Sequence, residues 1–173
     1  MSQTEQLAQQ ISLSDKFDAV LRLTRWREHV PYTIPLVVVG AMLAVHLDNA
    51  QLNWELLAVV IANILAMAFA FMINDVEDAP DDARDPAKRK RNIIASGILS
   101  RWQGYVLSAI VFSLSLSLYF VGGWYAAAIG VVTLVLSYLY SAHPFRLKAR
   151  PITDVVSHVL MLSGLLVMSG YYT

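Results

Sequence analysis

Residues 74–97 read Asn-Asp-Val-Glu-Asp-Ala-Pro-Asp-Asp-Ala-Arg-Asp-Pro-Ala-Lys-Arg-Lys-Arg-Asn-Ile-Ile-Ala-Ser-Gly, an acidic cluster directly after an apolar run and a basic cluster a few residues later. Carboxylates at that spacing can hold a hard divalent cation, and Lys and Arg can hold the phosphates such a cation bridges. Asp75, Asp78 and Asp82 follow a three-then-four spacing. On an α-helix that keeps them within about 60° of one another. Three like charges on one stripe repel, so a cation is expected among them. Mg²⁺ suits the set, because it takes oxygen ligands and is completed by water and substrate phosphate. Asn74 adds a neutral oxygen. Pro80 disfavours helix at Ala79, which predicts a break before Asp82 and places that residue in a loop. The alternative is a solvated acidic turn, which is the expected state of Asp81 and Asp85.

A second basic segment, Tyr140-Ser-Ala-His-Pro-Phe-Arg-Leu-Lys-Ala-Arg-Pro151, alternates Arg146, Lys148 and Arg150. In an extended loop these three share a face and can meet a diphosphate together. Lys88, Arg89, Lys90 and Arg91 form the first basic group. Either group also fits anionic headgroups or plain topological charge. Asp154 and His158, four apart, are expected to contact as a local helix pair. His29, His46 and His143 have no metal-ligand spacing and are expected to be incidental.

The elements that carry these residues are membrane helices. Of 173 residues, 57% are apolar, and charge is confined to blocks. No Asp, Glu, Lys or Arg lies between Glu55 and Asp75, from Trp102 to Phe145, or from Val155 to Thr173. A hydrocarbon core is crossed by roughly 20 residues, so the middle run holds two crossings, divided at Gly122-Gly123. The reading is an all-α integral membrane bundle of about five transmembrane helices, near 31–47, 56–74, 104–121, 124–142 and 155–172. Residues 1–30 are expected to form an amphipathic interfacial arm, with Leu13, Phe17, Val20 and Leu21 on one face and Asp15, Asp18, Arg22 and Arg25 mostly elsewhere. Residues 31–173 form the transmembrane unit.

Lys and Arg fall in the N-terminal arm (Lys16, Arg22, Arg25, Arg27), the 83–101 loop and the 146–150 loop. The positive-inside pattern then places the N-terminus and both basic loops in the cytoplasm. Trp54, Trp124, Tyr125, Tyr171 and Tyr172 mark the opposite aromatic belt. The absence of cysteine excludes disulfides, Cys-ligated zinc and thiol catalysis. The spans lack a buried charge, which argues against an ion or solute transporter. A glycine-containing aspartate motif of the CDP-alcohol phosphotransferase kind is not present.

Together the two loops resemble the UbiA superfamily of intramembrane prenyltransferases. Its first aspartate-rich motif, N-D-x-x-D-x-x-x-D, is matched at Asn74, Asp75, Asp78 and Asp82. The basic stretch and Ser-Gly pair that follow it are matched by residues 88–91 and Ser96-Gly97. The 140–151 segment resembles the family's loop between the fourth and fifth helices, and Arg25 its arginine ahead of the first helix. Arg91 is followed by Asn92 where many members have proline, with the spacing one residue longer. Members typically have about nine helices and a second aspartate-rich motif, so the chain resembles the N-terminal half of such an enzyme.

The resemblance implies catalytic and Mg²⁺-holding roles for Asp75, Asp78 and Asp82. It implies substrate binding by Asn74, Lys88, Arg91, Arg146, Lys148, Arg150, Tyr140 and Arg25. The donor would be an isoprenoid diphosphate, and a lipophilic acceptor would take the prenyl group within the lipid bilayer. A second polypeptide supplying the second aspartate-rich motif is a further implied partner; no nucleic-acid partner is implied. The expected setting is the cell membrane of a prokaryote, active face cytoplasmic. The alternative is a non-catalytic, half-length subunit that binds prenyl diphosphate or serves assembly.

Overall fold

The structure, a computed structural model, describes residues 13–173. The side chains of Leu13, Asp15 and Lys16 on the expected arm lie outside the described residues, as does the arm's first part. The helices are α1 (Leu13–Thr24), α2 (Trp26–Asp48), α3 (Glu55–Asp82), α4 (Pro86–Arg91), α5 (Arg101–Val121), α6 (Trp124–Ser141), α7 (Pro151–Val159) and α8 (Leu165–Tyr171). A π-helical turn over Leu160–Gly164 joins α7 and α8 into one span of 21 residues. Among the described residues, five helices are thus long and apolar enough to cross a membrane, and the protein is an integral membrane protein.

α3 is the axis of the bundle and packs against α1, α2, α5, α6 and α8. Along it Val59, Ala62, Ala66, Met67, Phe69 and Ile73 meet Val37 of α2, Tyr119 of α5, Ala126 and Leu134 of α6 and Leu166 of α8. Small residues on α3 let the backbones approach, which is where helix association in lipid gains its packing energy. α2 and α8 cross with their backbones in close approach. A Cβ on Gly40 would overlap the Val167 carbonyl, and one on Gly170 would overlap the Val37 carbonyl. Each glycine therefore makes room for the other helix's backbone.

Several polar groups in the core pair across helices, as a medium without water favours. Asn63 donates to Ser169 Oγ at 2.9 Å and accepts from Tyr119 Oη at 2.8 Å, joining α3, α5 and α8. Ser115 Oγ donates to the Ala62 carbonyl at 2.8 Å.

A second apolar cluster lies at the end of α3 that carries the acidic residues. There Ala19 and Leu23 of α1 meet Met72, Val76, Ala79, Ile93, Ile94 and Leu99. Phe17 and Leu21 are exposed, whereas Ala19 and Leu23 seat α1 on α3. α1 and α2 meet at Arg25, whose left-handed backbone (φ 51°) turns the chain.

The ends of the shorter elements follow their side chains. Asp85 caps α4 by accepting from the backbone N–H of Ala87 at 2.9 Å. Ser100 and Gln103 form a capping box on α5. Gly123, at φ 97°, makes the turn between α5 and α6 that divides the long apolar run as expected.

Candidate functional site

α3 continues through Pro80 to Asp82, so Asp82 stays on the helix and not in the loop expected from the proline. The proline forfeits one ladder bond, to the Val76 carbonyl, and the helix carries on for two residues beyond it. One turn earlier, the Asp75 carbonyl also accepts from Asn92 Nδ2 at 2.8 Å, which fastens the helix end to the segment after α4.

The acidic stripe is met from two sides by basic residues. From the α1–α2 junction comes Arg25, 14% exposed at its side chain, with Nη1 3.5 Å from Asp75 Oδ1. Its guanidinium stands 4.6 Å from the Phe71 ring centre and also bonds Glu28. From the α6–α7 connection come Arg146 and Lys148. Arg146 Nη2 donates to Asp78 Oδ1 at 3.0 Å, and Lys148 Nζ to Asp78 Oδ2 at 2.6 Å. Lys148 Nζ also donates to Asn74 Oδ1 at 2.8 Å, and Ser141 Oγ donates to the same oxygen at 3.1 Å. Charge-assisted bonds of this kind are short and about twice as strong as neutral ones.

The loop geometry explains why two basic residues, and not three, reach the stripe. Residues Leu147–Ala149 form a single 3₁₀ turn, and Arg146 before it is left-handed at φ 37°. The extended loop that would align Arg146, Lys148 and Arg150 is therefore absent. Arg150 is exposed and opens α7. Lys88 is exposed as well, and neither makes a side-chain hydrogen bond or ion pair among the described residues. Arg91 lies 3.2 Å from Glu28 Oε2, which links it indirectly to Arg25. Tyr140 Oη donates to Asp154 Oδ1 at 2.9 Å, and His158 Nδ1 meets the same oxygen at 3.1 Å, so the expected Asp154–His158 pair also includes Tyr140.

Several contributors carried no sequence signal. His143 Nδ1 is 3.3 Å from Glu77 Oε2, and its Nε2 is 3.3 Å from Arg146 Nη1. The ring thus relays between Glu77 and Arg146 and is not incidental. Glu77 also accepts from Tyr105 Oη at 2.8 Å. Asn92 donates to Asp82 Oδ2 at 3.0 Å. An Asn before two isoleucines is a turn signal, but nothing in the spacing says which carboxylate it would reach.

The donor set fits a small hard cation with diphosphate. The ammonium of Lys148 already sits between two oxygens of the stripe, a positive group where an ion would lie. Among the described residues, no three carboxylates or imidazoles converge on one point. Asp75 is turned onto Arg25, Asp78 onto Arg146 and Lys148, and Asp82 onto Asn92. Arg146 Nε is buried without a hydrogen-bond partner among the described residues. A buried donor of this sort calls for an acceptor oxygen.

A bundle of membrane helices carries an aspartate stripe that cations from the α1–α2 junction and the α6–α7 connection oppose. Residues 33–173 match the UbiA prenyltransferase family, and the chain belongs to it. A UbiA homolog from Archaeoglobus fulgidus bound to GPP and Mg²⁺ has the same fold, with a TM-score of 0.74 at 24% identity over 88% of this chain and 53% of that one. A UbiA homolog from the same organism bound to DMAPP and Mg²⁺ gives a TM-score of 0.73 at 24% identity over the same shares. The chain therefore spans about half the length of these solved relatives. No curated protein matches it.

Proposed function

We propose that this chain holds the diphosphate of an isoprenoid donor for prenyl transfer to a lipophilic acceptor in the bilayer. The observation that carries the reading is the meeting of Asp78 with Arg146 and Lys148, a carboxylate and two cations of the kind that hold phosphate, at the end of α3. In support, the solved relatives bind GPP or DMAPP with Mg²⁺.

Asp75, Asp78 and Asp82 would hold Mg²⁺, with Asn74 beside them. Bound there, the ion would draw negative charge from the diphosphate and ease its departure. Arg146 and Lys148 turn from Asp78 to the phosphate oxygens, and the free Nε of Arg146 supplies a further donor. Arg25 stays on Asp75 and sets its orientation. The C–O bond between the allylic carbon and diphosphate breaks, and both bonding electrons leave with the diphosphate. A nucleophilic atom of the acceptor then forms a bond to that carbon and the acceptor releases a proton. The apolar flanks of α3, α5 and α6 keep water from the cation during the interval.

Turnover needs further helices, in the same polypeptide or in a second one that brings another aspartate-rich motif. The alternative is a subunit that binds the donor without turning it over. The positive-inside distribution supports a cytoplasmic site and N-terminus, in the cell membrane of a prokaryote.

The test is retention of labelled geranyl diphosphate by the purified chain in lipid nanodiscs. Mg²⁺-dependent retention by the wild type and its loss in both Asp75→Ala and Asp78→Ala is expected. Equal retention by both variants contradicts the assignment. Product formed only on addition of a second polypeptide favours a split enzyme, and retention without product in every mixture favours the binding subunit.

A further inference from the structure

We propose that Asn92 is a positioning residue that aims Asp82 as the open carboxylate of the cation site, an inference that rests on the donor-site reading above. The three aspartates are not equivalent. Asp75 faces Arg25, and Asp78 faces Arg146 and Lys148. Among the described residues, Asp82 has no Lys, Arg or His within ion-pairing distance. Its side-chain partner is the neutral amide of Asn92, with Nδ2 3.0 Å from Oδ2.

That difference in charge matters. A basic residue in place of Asn92 would orient Asp82 and also cancel it, competing with any cation. A neutral amide fixes the direction of the carboxylate and leaves its full negative charge. The other lone pairs of Asp82 remain available. An incoming divalent cation thus meets one aspartate that has no positive partner to displace.

Asn92 is itself immobilised. It is 2% exposed, and its Oδ1 accepts from the backbone N–H of Ile94 at 2.9 Å and of Ala95 at 3.1 Å. Two N–H donors on one side define which end of the amide is oxygen, so Nδ2 faces the Asp75 carbonyl and the Asp82 carboxylate. All four hydrogen-bonding positions of the side chain are used. The flanking Ile93 and Ile94 are buried in the cluster beneath α1 and α3, which anchors the turn. One amide therefore bridges two turns of α3 across Pro80, where the helix ladder lacks a donor. It sets the distance between Asp75 and Asp82 as well as the direction of the latter.

The test is the Mg²⁺ concentration giving half-maximal retention of labelled geranyl diphosphate, measured on the full chain in nanodiscs. In Asn92→Ser, the hydroxyl can still accept from the turn but cannot reach Asp82. We expect a rise of about tenfold in the Mg²⁺ requirement, the lower end of the range for loss of a ligand-orienting partner. In an Asp82→Ala background, the same substitution is expected to add nothing. Asn92→Thr repeats the comparison should the serine variant fail to fold, as judged by its melting temperature. An unchanged Mg²⁺ requirement in the folded variant overturns the proposal. So does an equal loss in the wild-type and Asp82→Ala backgrounds, which would assign Asn92 to the fold alone. Wild-type chain with no Mg²⁺-dependent retention is a separate result: it contradicts the donor-site reading and removes this inference with it.

Discussion

Lys148 and Asp78, 70 residues apart in the chain, are joined from Nζ to Oδ2 at 2.6 Å. The contact ties the α6–α7 connection to the end of α3 and places an ammonium where a metal and a phosphate would both compete. Both groups would have to be released together: the carboxylate to the cation, the ammonium to the anion.

This exchange predicts opposite effects of one substitution. In Lys148→Gln, Asp78 loses its closest competitor for a cation, so affinity for Mg²⁺ alone should rise a fewfold. Affinity for geranyl diphosphate in saturating Mg²⁺ should fall about tenfold, the worth of a charge-assisted hydrogen bond. Calorimetric titration of each ligand reads the two signs. A fall in both would mean that Lys148 only supports the fold.

Arg25 and Asp75 form a pair in which both side chains are largely buried. Removing one partner of such a pair leaves an uncompensated charge and costs about 3 kcal/mol. Arg25→Ala should therefore lower the unfolding temperature in detergent, and Asp75→Asn added to it should restore much of the loss. Arg25→Lys should not substitute fully, because an ammonium cannot both lie over Phe71 and fork onto Glu28 and Asp75. A double variant no better than Arg25→Ala would contradict the pairing.

The loops should separate by contact, not by charge. Lys88→Ala and Arg150→Ala remove exposed cations and should change geranyl diphosphate affinity by less than about threefold, as screened surface charges do. Arg146→Ala should cost at least about tenfold, since a hydrogen-bonded, partly buried cation is lost. Similar losses in all three variants would show a diffuse electrostatic effect.

Helix packing gives a prediction remote from the site. Gly40→Leu puts a side chain into the backbone of α8 and should destabilise the bundle by more than about 2 kcal/mol. Gly164→Ala, whose added Cβ would sit 3.7 Å from the Val159 carbonyl oxygen, should be neutral. Thermal unfolding in one detergent compares them. Equal melting points for Gly40→Leu and the wild type would place the α2–α8 crossing in doubt.

What could be read from the residues was set by solvation. Charge cannot lie in hydrocarbon, so the runs without Asp, Glu, Lys or Arg marked the five helices, and the aspartates were bound to mark a membrane edge. The gathering of Asn74, Asp78, Arg146 and Lys148 follows from the same constraint plus topology. Less local matters were hidden. Arg150 turns away because one 3₁₀ turn changes the register of an otherwise alternating triplet. Asp82 remains helical although Pro80 argued for a break, and Asn92 splints the turn through the Asp75 carbonyl and the Asp82 carboxylate. Glu77, His143 and Asn92 entered the site through tertiary contacts that no spacing encodes. Glycines at 40 and 170 are equally scattered in sequence, and only the crossing of α2 and α8 makes them a pair.

The central claim, that the carboxylates and cations form one site for a metal and a diphosphate, is tested most directly by their linkage. Geranyl diphosphate binding to the wild-type chain in nanodiscs should be measured across a Mg²⁺ titration, with Asp78→Ala alongside. Reciprocity requires that each ligand raise the other's affinity by the same factor. We expect at least a tenfold gain in diphosphate affinity with Mg²⁺, an equal gain in Mg²⁺ affinity with diphosphate, and neither in Asp78→Ala. Binding of each ligand that ignores the other would contradict a shared site.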